Sequence, residues 1–200
     1  MTDKQLSEIV KFVKPIYKKT GKYHGWDHIL AVKRNALRLA RKYPQADKKI
    51  LEAASYIHDI GRSIKDEGHN ETSAKLITPF LKKIKVDPVE IEKVCHAVIS
   101  HEKGKVNSSK TIEAKILFDA DKLEIMTVYG FIRVMYWLSD ERKMIFSESL
   151  NFLWKWIVDV RKNYLQTSEA KKIVDKEMPV LKSMVEKFNK WEFNSKSSSK

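Results

Sequence analysis

Apolar residues recur at spacings of three and four along almost the whole chain, the signature of amphipathic helices rather than of alternating strands. The pattern predicts a first helix over about Leu6–Tyr17 and a second over about Trp26–Tyr43, whose inner stripe is Ile29, Val32, Ala36, Leu39 and Tyr43. A third is expected from about Asp47 to Ile60, stopping at Gly61, a residue type that accepts the left-handed conformation common at helix ends. Glu71–Ile84 reads as a fourth. Asp87, then Pro88 at the first helical position and Glu90 three residues past the cap form a complete start signal. That fifth helix is expected to reach about His101, where GKVNSS interrupts the pattern. A sixth, about Thr111–Leu123, leads into an aromatic-rich segment ending near Leu138, and helices over about Phe146–Tyr164 and Glu169–Phe193 complete the chain.

No repeat and no long linker breaks this series, so one all-α domain is predicted over residues 1–193. Its helices at residues 131–193 form an extension, and the polar tail at 194–200 is expected to be disordered. With only six Gly and five Pro in 200 residues, the chain lacks the turn signals of an all-β protein. Cys95 is the only cysteine, which excludes an intramolecular disulfide. The charged amino terminus is unlike a signal peptide and no apolar run reaches the length of a membrane span, so a cytoplasmic protein without membrane association is expected. A net charge of +13 suits an anionic ligand, nucleic acid included. Because acidic residues are interspersed throughout, a solvated Lys-rich surface explains the charge equally well.

The chemistry lies in polar residues placed on stripes that should be apolar. In the third helix Ile50, Ala53, Ala54 and Ile57 face inward, and His58 falls four residues after Ala54. Asp59 follows where the helix ends. In the sixth, Ala114, Leu117 and Phe118 mark the buried face that Asp121 continues, whereas Asp119, about 200° round the helix, faces elsewhere. His28 lies beside Ile29 and four residues before Val32. A carboxylate facing a core has to be paired, neutralised or bound to a metal. Each histidine taken singly reads as a hydrogen-bonded core residue; two imidazoles and two carboxylates together read as a mixed nitrogen and oxygen site for a divalent transition metal. Such an ion acidifies bound water and polarises a phosphoryl oxygen.

The segments HGWDH (His24–His28), HDIGR (His58–Arg62) and DADKLE (Asp119–Glu124), in that order, resemble the signature of the HD superfamily of metal-dependent phosphohydrolases, over about residues 23–130. The resemblance implies an HD-type helical bundle with His28, His58, Asp59 and Asp121 as ligands to manganese, iron, cobalt, zinc or nickel, one ion or two. Asp59 would also serve the reaction and bridge two ions. His69 and His101 sit where two-metal branches place extra histidines, with structural use as the alternative. His101, seven residues after Val94 and three after Val98, is on the inner face. His96 lies off that stripe and is a second-metal, substrate-contacting or plainly exposed residue; His24 is a weaker candidate. The acidic pair that follows His-Asp in guanosine tetraphosphate hydrolases is replaced here by Ile60 and Gly61, and the Gly-Tyr-Pro element of cyclic di-GMP phosphodiesterases is missing. The pattern is nearest to small stand-alone HD hydrolases, some of which cleave nucleotide phosphoanhydrides.

Phosphate calls for positive charge, and Arg62 is the natural clamp because guanidinium holds phosphate through two parallel hydrogen bonds. Lys122 is a second catalytic candidate, and Lys65 reads as a surface residue. Asp27, Glu67 and Glu124 are all near enough to donate a proton, and each has a capping or salt-bridge explanation. Tyr129, Phe131, Tyr136, Trp137, Trp154 and Trp156 offer base stacking or a homodimer contact, but their helical spacing favours the core. The expected activity is hydrolysis of a nucleotide or related small phosphorylated metabolite. A nuclease or cyclic-nucleotide phosphodiesterase is the rival, and a non-catalytic metal or nucleic-acid binder the third reading.

Overall fold

Start signals in the sequence translate directly into helix N-termini. The computed structural model describes residues 1–20, 23–102, 104 and 108–197, with side chains as far as residue 191. Thr2 and Gln5 form a reciprocal capping box that opens α1 (Asp3–Val13), three residues ahead of the expected start. Pro15 has no N–H to continue the ladder, so the expected last turn becomes a separate 3₁₀ turn, Ile16–Lys19. Then come α2 (Trp26–Ala40), α3 (Lys48–Ile57), a 3₁₀ turn at Ile60–Ser63, α4 (His69–Lys83), α5 (Pro88–Ile99), α6 (Ile112–Ile125), α7 (Val128–Asp140), α8 (Phe146–Asn163) and α9 (Ser168–Ser197). Asp47, Asp87, Thr111 and Thr127 cap α3, α5, α6 and α7 with their side chains. The all-α expectation holds, with no strand among the described residues. Backbone helix continues through residue 197 of the expected tail, and residues 198–200 lie outside the described residues. None of the described helices is long and apolar enough to cross a membrane.

α2 packs between α3 and α6, α5 closes against α3, α4 and α6, and α7, α8 and α9 follow one another until α9 returns to α6. Ile29, Val32, Ala36, Ile50, Ala54, Ile57, Val94, Val98, Ala114 and Leu117 are fully buried at these contacts. Each large aliphatic among them contributes roughly 1.5–3 kcal/mol by leaving water. Apart from Tyr43, half-buried beyond the end of α2, the stripes read from the sequence are therefore the core.

α6 is buried on nearly every side, although it carries Glu113, Asp119, Asp121, Lys122 and Glu124. Partners make this tolerable. Glu113 accepts from the backbone N–H of Asp47 at 2.8 Å, so the α6 carboxylate supports the start of α3. Asp119 does point away from Asp121, but into protein rather than water. It accepts from Gln166 N (2.9 Å), Thr167 N (2.7 Å) and Thr167 Oγ1 (2.6 Å), which ties α6 to the turn between α8 and α9. Burial pushes the Asp119 carboxyl up to about 6, and these three donors oppose the rise.

Two expectations are corrected. Gly61 does not adopt the left-handed conformation; Gly68 does, with φ 65° at the N-cap of α4. Gly61 supplies room instead, since a Cβ there would overlap the His69 carbonyl oxygen and approach Ser73 N to 2.8 Å. The aromatic segment is only partly core: Phe131 is buried, whereas Tyr129 and Tyr136 are 64% and 66% exposed. Three- and four-residue spacing marks a face, but an aromatic tells less than an aliphatic about whether that face is covered.

Candidate metal centre

The end of α3 brings His and Asp into the space between helices. His58 is the last helical-conformation residue, its N–H still bonded to Ala54, and Asp59 leaves the helix at φ −107°. Ser73 of α4 fixes this turn with one hydroxyl, which donates to the His58 carbonyl at 2.7 Å and accepts from Gly61 N at 2.8 Å. His28 enters from the first turn of α2, His69 from the start of α4, His101 from just beyond α5, and Asp121 from α6.

Two trios of ligand atoms result, each within 4.8 Å of one another: His28, His58 and Asp59 in the first, and Asp59, His69 and His101 in the second. Asp59 belongs to both. Its Oδ2 lies 3.8 Å from His28 Nε2 and 3.8 Å from His58 Nε2, while its Oδ1 lies 3.0 Å from His69 Nε2 and 3.6 Å from His101 Nε2. Asp121 flanks the first trio with Oδ1 3.4 Å from His28 Nε2 and Oδ2 2.5 Å from Lys122 Nζ. All these side chains are buried, yet His58 Nε2 and Asp59 Oδ1 make no hydrogen bond among the described residues. Orphaned lone pairs are costly in a protein interior, and a cation between them removes that cost. Imidazole nitrogens with carboxylate oxygens suit a divalent transition metal, so the residues present fit such an ion.

Electrostatics separate the two trios. Burial holds the His58 ring neutral, its pKa pushed down to about 3. Burial works the same way on His69, but Asp59 and Glu102, the latter 2.9 Å from Nδ1, outweigh it and raise the pKa to about 9. Asp59 and Asp121 are both held far below the usual carboxylate range in spite of burial, by His58 and Arg62 for the first and by Lys122 and His28 for the second. A ligand nitrogen must be unprotonated to bind metal. Ion binding at the first trio is therefore expected to displace no proton from His58 at neutral pH, whereas binding at the second displaces one from His69. Below about pH 9, affinity at the second trio should fall about tenfold per unit of decreasing pH. Calorimetric titration in buffers of different ionisation enthalpy counts that proton, and a second ion binding without proton release would refute the assignment.

His28 and Asp59 of the first trio, together with Asp121, open into a cleft of about 290 Å³, with Arg62, Lys122, His24, Trp137 and Trp156 also in its walls. Arg62, expected as a phosphate clamp, has Nε 3.0 Å from Asp59 Oδ2 and NH1 3.2 Å from Asp66. His24 lines the cleft with its ring against His28 and Trp137, outside both trios, and burial lowers its pKa to about 4. His96 is not brought to either trio; its Nε2 accepts from Lys110 N at 3.3 Å, on the connection to α6. Asp27 and Glu67 border neighbouring surface hollows instead. Sequence reasoning missed Ser73, Glu102 and Arg133. Ser73 had one legible cue, one turn after His69 on the same helix; the other two resemble ordinary surface charges in the sequence.

The HD domain family model matches residues 25–126, just over half of the chain. No curated protein matches it. Solved structures do: a protein from Lactobacillus plantarum is 19% identical, covers 97% of this chain and 99% of its own, and superposes with a TM-score of 0.77. An HD-superfamily hydrolase from Bacillus thuringiensis is 23% identical over 96% of this chain and 97% of its own, with a TM-score of 0.74. Bacillus subtilis YpgQ, solved in complex with ADP, is 19% identical over 94% of each chain, again with a TM-score of 0.74. At these identities the likeness is one of fold, and it extends through α7, α8 and α9 as well as the matched core. With the matched segment carrying both trios and Asp121, the chain belongs to the HD-domain family of metal-dependent hydrolases.

Proposed function

We propose that this protein hydrolyses a phosphoanhydride or phosphoester bond of a nucleotide or related small phosphorylated metabolite. In this reading His28, His58, Asp59 and Asp121 hold one divalent ion (manganese, iron, cobalt, zinc or nickel), and Asp59, His69 and His101 hold a second. The observation that carries it is the single carboxylate of Asp59, which faces both histidine pairs beside a cleft walled by Arg62 and Lys122. A divalent ion bound there supplies Lewis acidity, lowering the pKa of water and neutralising charge on a phosphoryl group.

The chain's own residues supply orientation and charge. Arg62 restrains Asp59 through Nε and brings its cationic face to the cleft; Lys122 does the same beside Asp121. The ring of His24, neutral at physiological pH, can exchange one hydrogen bond with a ligand without adding charge. Trp137 and Trp156 give an apolar wall on which a base can lie. A cleft of about 290 Å³ is on the scale of small-molecule pockets. That ADP occupies the similarly folded YpgQ supports a nucleotide over other phosphorylated compounds.

The test is a panel of nucleoside di- and triphosphates, cyclic nucleotides and short oligonucleotides, assayed with each divalent ion at several salt concentrations. Turnover of a free nucleotide with weak salt dependence is expected. Cleavage confined to oligonucleotides and suppressed steeply by salt would make the protein a nuclease, and cleavage confined to cyclic nucleotides a phosphodiesterase. Arg62→Ala is expected to lower kcat/KM about 10²-fold, about 2.7 kcal/mol of transition-state stabilisation, while metal content by elemental analysis stays near that of the parent. Unchanged kinetics would reduce Arg62 to a partner of Asp59 and Asp66.

A further inference from the structure

Three of the four clustered histidines have their ring orientation fixed by their own backbone. His58 Nδ1 lies 2.9 Å from the Ser55 carbonyl, His69 Nδ1 2.9 Å from the Asp66 carbonyl, and His101 Nδ1 2.6 Å from the Val98 carbonyl. In each case the acceptor is three residues earlier. A carbonyl can only accept, so Nδ1 carries the hydrogen, and once the ring is neutral Nε2 is left with its lone pair facing the trio. His28 has no such carbonyl. Its Nδ1 makes no hydrogen bond among the described residues and faces Glu124 Oε2 at 3.5 Å, while its Nε2 points to Asp121 and Asp59.

Glu124 is 2% exposed and held from the other side. Arg133 of α7 reaches it with two nitrogens, Nε to Oε1 at 3.0 Å and NH2 to Oε2, and donates NH1 to the Tyr23 carbonyl at 2.5 Å. The carboxylate thus stands between a clamping guanidinium and the outward nitrogen of His28. Gly130 permits the arrangement, since a Cβ at that position would overlap the Glu124 carbonyl oxygen and force α7 away from the end of α6.

We propose that Glu124 is the positioning residue for His28: it accepts a hydrogen bond from Nδ1–H, keeps Nε2 unprotonated for the ion, and is itself set by Arg133. This rests on the reading of His28 as a metal ligand. Glu124 is thereby removed from the candidates for proton donor to the leaving group, and α7, beyond the residues of the family match, becomes part of the metal centre. Outer carboxylates that fix a ligating histidine typically change metal affinity by roughly 10–100-fold when removed.

The experiment uses the full chain with ¹⁵N-labelled histidine, loaded with zinc. Long-range ¹H–¹⁵N correlations identify, ring by ring, which nitrogen carries hydrogen and which shifts on zinc addition. His28 is expected to show a protonated Nδ1 and a zinc-shifted Nε2. Manganese titration followed by electron paramagnetic resonance should then show affinity weakened 10–100-fold in Glu124→Ala and at least partly restored in Glu124→Gln, whose amide oxygen can still accept. A Glu124–Arg133 pair with a purely structural role would lower thermal stability in both variants and leave manganese affinity within threefold of the parent, which overturns the proposal. So does zinc bound to His28 through Nδ1, a result readable in the parent protein even if Glu124→Ala does not fold. Absence of any zinc-induced shift at either His28 nitrogen overturns the ligand assignment itself, and the positioning role with it.

Discussion

Asp59→Ala is expected to strip the protein of bound metal and to lower kcat/KM by at least about 10³-fold, equivalent to about 4 kcal/mol. No other side chain belongs to both trios, so one substitution would remove a candidate oxygen ligand from each. The loss extends to the cations around it. Arg62 Nε stands 3.0 Å from Asp59 Oδ2, and His69 Nε2 3.0 Å from Oδ1, so both lose a counter-charge in a buried setting. Asp59→Asn separates the effects, because it preserves shape and one acceptor oxygen while removing the charge. Elemental analysis, turnover and far-UV circular dichroism on the three proteins provide the check. A full metal complement in Asp59→Ala at parental helicity would refute the two-trio reading.

Gly61→Ala should be a severely damaging single-methyl change, costing about 3 kcal/mol or more in unfolding free energy. The added Cβ meets backbone on two sides, the His69 carbonyl and Ser73 N, and neither can rotate aside as a side chain could. Relief requires the turn after Asp59 to move off the start of α4, which carries His69 away from Asp59 and breaks the paired hydrogen bonds through Ser73. For a chain of this size the expected fall in melting temperature is roughly 6–12 °C. Weakened metal binding at the second trio should accompany it. Equilibrium unfolding in urea measures the first effect and metal titration the second; a midpoint equal to that of the parent would show that helix α4 does not approach the turn so closely.

The sequence made the candidate metal centre legible because the residues proposed to hold the ion violate a pattern. A histidine or aspartate in register with Ile50, Ala54, Leu117 or Val98 is conspicuous, and the structure buries all of those positions. Helix starts were legible for a similar reason: Asp47, Asp87 and Thr111 are short acceptors just ahead of apolar stripes, and each caps its helix. The residues that hold the ligands in place obey the pattern instead. Arg133 and Glu102 occupy positions where a polar residue is normal, so nothing along the chain distinguishes them from solvated neighbours, and Ser73 is marked only by its place one turn after His69. Only the return of α7 onto the end of α6 makes Arg133 a partner of Glu124. Likewise, the exposure of Tyr129 and Tyr136 depends on how far α8 and α9 cover α7, a three-dimensional fact with no one-dimensional trace.

Asp119 and Asp121 stand two residues apart on one buried helix and serve opposite masters, the first anchoring the α8–α9 turn and the second flanking the histidines. α6 therefore works as a beam loaded from both sides. Cutting the chain after residue 126, where the family match ends, would strand a carboxylate that three donors had satisfied and bare the flank of α6 to solvent. The last three helices are in this sense masonry rather than ornament, and a minimal catalytic fragment of this protein has to include them.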